Sequence, residues 1–93
     1  MAPEDVLHLL LYEYVPDMAQ RREPYRGPHR ERITAEREAG VIVAAGAFDP
    51  PTGGALVFKG VDPEYVESFV AADPYMQGGL ITSYSVQRWA TLW

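Results

Sequence analysis

Short apolar runs alternate with charged stretches along the chain, and this alternation predicts six secondary-structure elements. Apolar runs of strand length, rich in branched and aromatic residues, occupy residues 6–14, 41–46, 55–59 and 80–89. A charged stretch separates the first two runs. Between the last two runs, apolar residues recur at helical spacing. The predicted order is therefore strand, helix, strand, strand, helix, strand.

The helix boundaries are predicted from proline, glycine and aspartate. Gly27 suits the cap position and Pro28 the first turn of the first helix, so the residues before them are predicted as a loop. This helix is expected to end at Gly40. The second helix is expected to begin after Asp62, an N-cap residue followed by proline. It must end before Asp73, because a residue that precedes proline is pushed out of the α region.

This order, with short connections, predicts one α+β domain over residues 1–93, with a ferredoxin-like βαββαβ topology and a four-stranded antiparallel sheet. Two helices cover one face of such a sheet, yet the first strand is apolar on both faces. We therefore expect the open face to pack against a second subunit and form a homodimeric α/β barrel. On the first strand, one face carries Leu7, Leu9 and Leu11 and the other carries Leu10, Tyr12 and Tyr14.

Composition excludes several classes of function. The 93 residues contain no cysteine, so disulfides, thiolate nucleophiles and cysteine zinc sites are excluded, and a cytoplasmic location is expected. A net charge of −5 argues against nucleic acid as a partner, because phosphate binding depends on Lys and Arg. The apolar run from Val6 to Val15 is interrupted by His8 and Glu13 and has no basic leader. We expect neither a signal peptide nor a membrane span there.

The topology also predicts where chemistry can occur. It places the start of the first helix and the end of the second helix at one edge of the sheet, so His29 and Asp73 are expected to meet. A histidine has an ordinary pKa of about 6.5, which suits proton transfer, and an aspartate can orient its ring. The pair can equally be a structural hydrogen bond that ties two helix ends together.

Other residues complete the predicted site. Arg26, and with it Arg22, would hold a carboxylate or phenolate, and three tyrosines would supply an aromatic wall or a hydrogen-bond donor. His8 is interpreted as a packed strand residue. No metal site is expected, because His8, His29 and Asp73 lack a recognisable ligand spacing, and no cofactor is expected. The three tyrosines are Tyr12, Tyr25 and Tyr75.

Several short motifs, in a fixed order, resemble the YciI-like (YCII-related) family from Leu7 to about Trp89. They are Arg26-x-x-His29, then Glu38-Ala39-Gly40 before a strand that ends in Ala45-Gly46, then Ala72-Asp73-Pro74-Tyr75 with a glycine soon after. The resemblance implies a dimeric α+β barrel with His29 and Asp73 as the active site and Arg26 as the basic residue before the histidine. Gly27 and Ala47 depart from the family pattern, which has proline at both places.

The resemblance also bears on the reaction. Most members of the family have no assigned reaction, one branch dehydrochlorinates chlorinated hydroxyhydroquinones, and the barrel superfamily includes muconolactone isomerases and small aromatic monooxygenases. We therefore expect a cofactor-free lyase or isomerase that acts on a small acidic or phenolic metabolite. The alternatives are a non-catalytic barrel that binds a small ligand or a protein partner, and a cofactor-free monooxygenase.

Overall fold

A computed structural model describes residues 6–92, which form a four-stranded antiparallel sheet with helices packed on one face. The strand order is β2-β3-β1-β4, so β1 and β4 are antiparallel neighbours. The predicted ferredoxin-like fold is confirmed. In chain order the elements are β1 (Leu7–Tyr14), α1 (Met18–Arg21), α2 (Glu23–Glu38), β2 (Ile42–Ala47), β3 (Gly53–Lys59), α3 (Pro63–Ala71), α4 (Pro74–Gln77) and β4 (Ile81–Trp89).

The two faces of the sheet differ in burial. On one face Leu10 and Tyr12 are fully buried beneath the helices, where they join a single apolar core. On the other face Leu7, Leu9 and Leu11 are half-buried. Neighbouring strands add apolar residues to this open face, because residues that pair directly across two strands point to the same side. These neighbours are Ala55, Val57 and Trp89.

The first long helix begins earlier than the sequence predicts. The prediction of a loop up to Gly27 and a helix start at Pro28 is wrong, because α2 starts at Glu23 and contains Pro28 in its interior. Proline usually disfavours helical backbone at the residue before it through a clash with that residue's Cβ, but Gly27 has no Cβ. The N–H that Pro28 lacks would have bonded to a carbonyl in the first turn. As a consequence, His29 lies in the second turn of α2 and not at its start.

The second predicted helix is α3, and its boundaries agree with the prediction. Asp62 caps the helix by accepting a hydrogen bond from the Tyr65 N–H at 2.9 Å. The helix ends at Ala71, two residues before Asp73, whose backbone is extended. A further short helix, α4, was not predicted and begins at Pro74 directly after Asp73. Asp73 therefore lies in the short link between the end of α3 and the start of α4.

No helix within residues 6–92 is long and apolar enough to cross a membrane. The cytoplasmic location stays a prediction.

Candidate active site

His29 and Asp73 are in direct contact. His29 Nδ1 lies 2.8 Å from Asp73 Oδ1, and both side chains are buried, with 8% and 0% of their surfaces exposed. The contact forms because α2 and the α3–α4 junction pack against each other above the end of β1. The two residues are 44 positions apart in the sequence, and the fold brings them together, as the topology predicted.

Asp73 accepts two further hydrogen bonds. The Tyr12 hydroxyl donates to Oδ2 at 2.8 Å, and the Tyr75 N–H donates to Oδ1 at 2.9 Å. A buried carboxylate is costly unless donors replace the water that it loses. Three donors therefore fix Asp73 in one orientation, and that orientation determines where the His29 ring lies.

The contact with Asp73 also fixes the proton on the His29 ring. A carboxylate only accepts hydrogen bonds, so His29 Nδ1 carries a proton and donates to Asp73, which leaves Nε2 as the second ring nitrogen. The imidazole is stacked on the Tyr75 ring, with centroids 3.7 Å apart and planes 10° apart. Burial raises the pKa of Tyr75, so this phenol stays neutral beside the histidine. The His29 ring is thus held in place by Asp73 at one edge and by Tyr75 on one face.

A cavity of about 450 Å³ opens beside His29 and Tyr75. Its walls are the arginine-bearing face of α2 and the small side chains of β2. Tyr14 also lines it and packs edge-on against Tyr75, with centroids 5.8 Å apart. Burial raises the pKa of Tyr14, which keeps its hydroxyl protonated and able to donate a hydrogen bond. A volume of this order suits one small-molecule ligand.

The profile of the YCII-related domain family matches residues 6–90. The chain belongs to the YCII-related family. A solved structure of another protein with the same fold is 5-chloro-2-hydroxyhydroquinone dehydrochlorinase from Burkholderia phenoliruptrix, in complex with 2,5-dihydroxybenzoquinone. The two chains are 25% identical and superpose with a TM-score of 0.79 over 90% of this chain and 93% of that one. No curated protein matches the sequence.

The structure places some of the predicted site residues at the cavity and others away from it. Arg22, Arg26 and Tyr75 line the cavity together with His29. Tyr12 does not, because it is buried behind Asp73 and its hydroxyl is already used there; burial and the neighbouring carboxylate raise its pKa. Tyr25 lies outside the cavity as well.

Among the charged and aromatic residues that line the cavity, sequence reasoning missed Tyr14, Arg30 and Arg37. A signal for Arg30 was present, because residues 22, 26 and 30 follow one another at four-residue steps, the spacing of one helix face. The spacing was not recognised, because the predicted helix start at Pro28 assigned Arg22 and Arg26 to a loop. Tyr14 carried no signal that set it apart from Tyr12, because both point to the same side of β1.

His8 lies far from this cavity. It is four residues before Tyr12 on β1, about 13 Å along the strand, and it is buried with Nδ1 lacking a hydrogen-bond partner within residues 6–92. The same part of the chain contains no group of three or more His, Asp or Glu side chains that could hold a metal ion. His8 therefore adds nothing to the pair of His29 and Asp73.

Proposed function

We propose that this domain is a small lyase that eliminates a leaving group from a compact acidic or phenolic metabolite, with His29 as the acid/base residue. The observation that carries the proposal is the oriented ring of His29, whose Nδ1 donates to a fully buried Asp73 beside a ligand-sized cavity. The dehydrochlorinase activity of the structural neighbour supports an elimination reaction.

The proposed step uses side chains alone. His29 Nε2 removes a proton from a carbon next to an electron-withdrawing group, and the electrons of that C–H bond form a double bond to the adjacent carbon as chloride leaves it. Where the leaving group is a hydroxyl, the imidazolium returns the proton to it and it leaves as water. The charge gained by the imidazole is balanced by Asp73 at 2.8 Å. Arg22 and Arg26 hold a carboxylate or phenolate of the substrate and stabilise negative charge that develops on it. An isomerase would use the same base and return the proton to a different carbon.

Replacement of His29 by asparagine tests the proposal. Asparagine places an N–H near the position of Nδ1, so the bond to Asp73 is kept while the basic Nε2 is deleted. We expect turnover to fall by about 10²- to 10⁴-fold, the usual contribution of a general base, with the fold retained. The assay measures chloride release or ring absorbance with a panel that includes 5-chloro-2-hydroxyhydroquinone. His8→Asn is the matched control, because it removes the same chemistry from the other histidine.

The result also separates the alternatives. Unchanged turnover in His29→Asn would refute the role of His29. A ligand that binds but is never converted, with His29→Asn lowering only the melting temperature, would favour a non-catalytic binding domain. Oxygen consumption with quinols would instead indicate a monooxygenase.

We also propose that two copies associate through the open face of the sheet. Six apolar side chains lie on this face, beside Lys59, Ser85 and Gln87, and a chain of this size gains little from its own core alone. Analytical ultracentrifugation should give about twice the 10.4 kDa of one chain. Leu9→Lys, at the centre of the face, should give the monomer mass, whereas Ser68→Lys on exposed α3 should not change the mass. A monomeric wild-type protein would contradict this assembly.

A further inference from the structure

The cavity beside His29 has a charge opposite to that of the whole chain. The chain carries a net charge of −5 and has eight Lys and Arg residues, of which four line this one cavity. No Asp or Glu of residues 6–92 lines it. The four arginines are Arg22, Arg26, Arg30 and Arg37.

Three of these arginines lie on one face of α2, and Arg22 is the N-cap residue directly before its first turn. Arg22, Arg26 and Arg30 are one turn apart, and Arg37 lies two turns beyond Arg30. With a rise of 1.5 Å per residue, the backbone positions of Arg26 and Arg37 are about 16 Å apart along the axis. His29 lies beside the first part of this row. The row is therefore longer than one anionic group requires.

In the part of the chain that the structure describes, the four side chains have no ion pair or hydrogen bond of the kind that Arg21 and Arg32 make. Arg32 donates to the Phe69 carbonyl at 2.9 Å and lies over the Phe69 ring, and Arg21 lies 3.5 Å from Asp17. Within residues 6–92 no carboxylate lies within ion-pair distance of any of the four in the cavity. Arg22 Nε is moreover buried without a hydrogen-bond partner there. A buried donor without an acceptor is costly, so an acceptor supplied by a ligand would stabilise it.

Surface arginines are usually solvated, and Arg30 and Arg37 are exposed. Two features distinguish this row from an ordinary charged surface. Like charges one turn apart on a helix repel each other, and here they recur without interspersed acids on the same cavity wall. The facing wall is formed by Ala44, Ala45 and Gly46 of β2, whose small side chains leave the space in front of the guanidinium groups open.

We infer that the ligand of this cavity carries at least two negative charges, such as a small dicarboxylate or a phenolic carboxylate. Arg22 and Arg26 hold one anionic group next to His29, and Arg30 and Arg37 hold the second further along α2. The inference deepens the proposed function and rests on it for the reacting end of the ligand. The second anionic group adds affinity and sets the orientation of the ligand.

Isothermal titration calorimetry with benzoate, phthalate and terephthalate at one ionic strength tests the inference. We expect at least one of the two dicarboxylates to bind about tenfold more tightly than benzoate, because a second charge-assisted contact forms. Arg37→Gln should reduce this ratio of affinities to about twofold or less. Arg21→Gln removes the same charge outside the cavity and should leave the ratio unchanged. The preference should also weaken as salt rises, because exposed charges are screened.

Equal affinities for benzoate and both dicarboxylates in the wild type would overturn the inference, as would a failure of all three to bind. An equal loss of preference in Arg21→Gln and Arg37→Gln would overturn it too, because net charge alone would then explain the effect. The proposed lyase function is tested separately, by the turnover of His29→Asn. Loss of turnover in His29→Asn without a preference for dianions leaves the lyase proposal intact, and a preference for dianions with unchanged turnover leaves only the inference intact.

Discussion

The hydrogen bond between Tyr12 and Asp73 offers a direct test of how the site is supported. Phenylalanine at position 12 keeps the buried ring and removes the one oxygen that donates to Asp73 Oδ2 at 2.8 Å. Tyr12 is 1% exposed and Asp73 is 0% exposed, so water has no easy route to replace the lost donor. Removal of a buried hydrogen bond to a charged group costs about 1.5–3 kcal/mol. We expect Tyr12→Phe to lower the free energy of unfolding by about 2 kcal/mol.

The assay is urea unfolding followed by circular dichroism, together with a thermal melt. A loss of about 2 kcal/mol in a domain of this size lowers the melting temperature by about 8–16 °C, with an unchanged dependence of the unfolding free energy on urea. Tyr65→Phe is the matched control, because the Tyr65 hydroxyl also donates to a carboxylate, that of Glu36, but at 40% exposure. This control should cost less than about 0.5 kcal/mol. Equal losses in the two variants would refute the argument that burial gives the Tyr12 bond its strength.

The effect of Tyr12→Phe on the free energy of unfolding should also depend on pH in alkaline solution. Burial, and next the Asp73 carboxylate, raises the pKa of Tyr12 in the folded protein above the ordinary value of 10.0. Above pH 10 the unfolded chain releases this proton while the folded chain keeps it, so stability falls by up to about 1.4 kcal/mol per pH unit for one such tyrosine. The stability difference between wild type and Tyr12→Phe should therefore narrow between pH 10 and 11. A difference that stays constant across this range would contradict the shifted pKa.

Two further predictions concern the backbone that positions the site. Gly53→Ala should destabilise the domain by about 3 kcal/mol in urea unfolding, because a Cβ there would overlap the backbone oxygen of Tyr12. Gly46→Ala is the control and should change stability little, because a Cβ there meets nothing within 4 Å. Asp62→Ala should cost about 1 kcal/mol, because the Tyr65 N–H loses its cap, whereas Asp62→Asn should cost a few tenths. Similar thermal melts for Ala and Asn at position 62 would show that the cap contributes nothing.

The sequence by itself determined the order of the four strands and the two longer helices, and the approach of His29 to Asp73. It did not predict the short helices α1 and α4. Apolar runs of strand length, the Asp62-Pro63 helix start and the proline after Asp73 are local signals, and each was read without tertiary contacts. Once the order predicts a ferredoxin-like sheet, antiparallel pairing of β1 with β4 follows from the topology. The convergence of the two residues is a consequence of that connectivity.

The tertiary structure alone decided how α2 begins and which tyrosine faces the cavity. Pro28 lies inside the helix, although local rules favour a start at this residue. Gly27 only permits this, because it lacks the clashing Cβ, whereas the packing of α2 against α4 and β2 favours the longer helix. Tyr12 and Tyr14 share one side of β1, yet Asp73 takes the hydroxyl of Tyr12 and leaves Tyr14 at the cavity. Local pattern fixes the side of a strand to which a residue points. The partner that a side chain meets depends on elements distant in sequence, whose packing no short window contains.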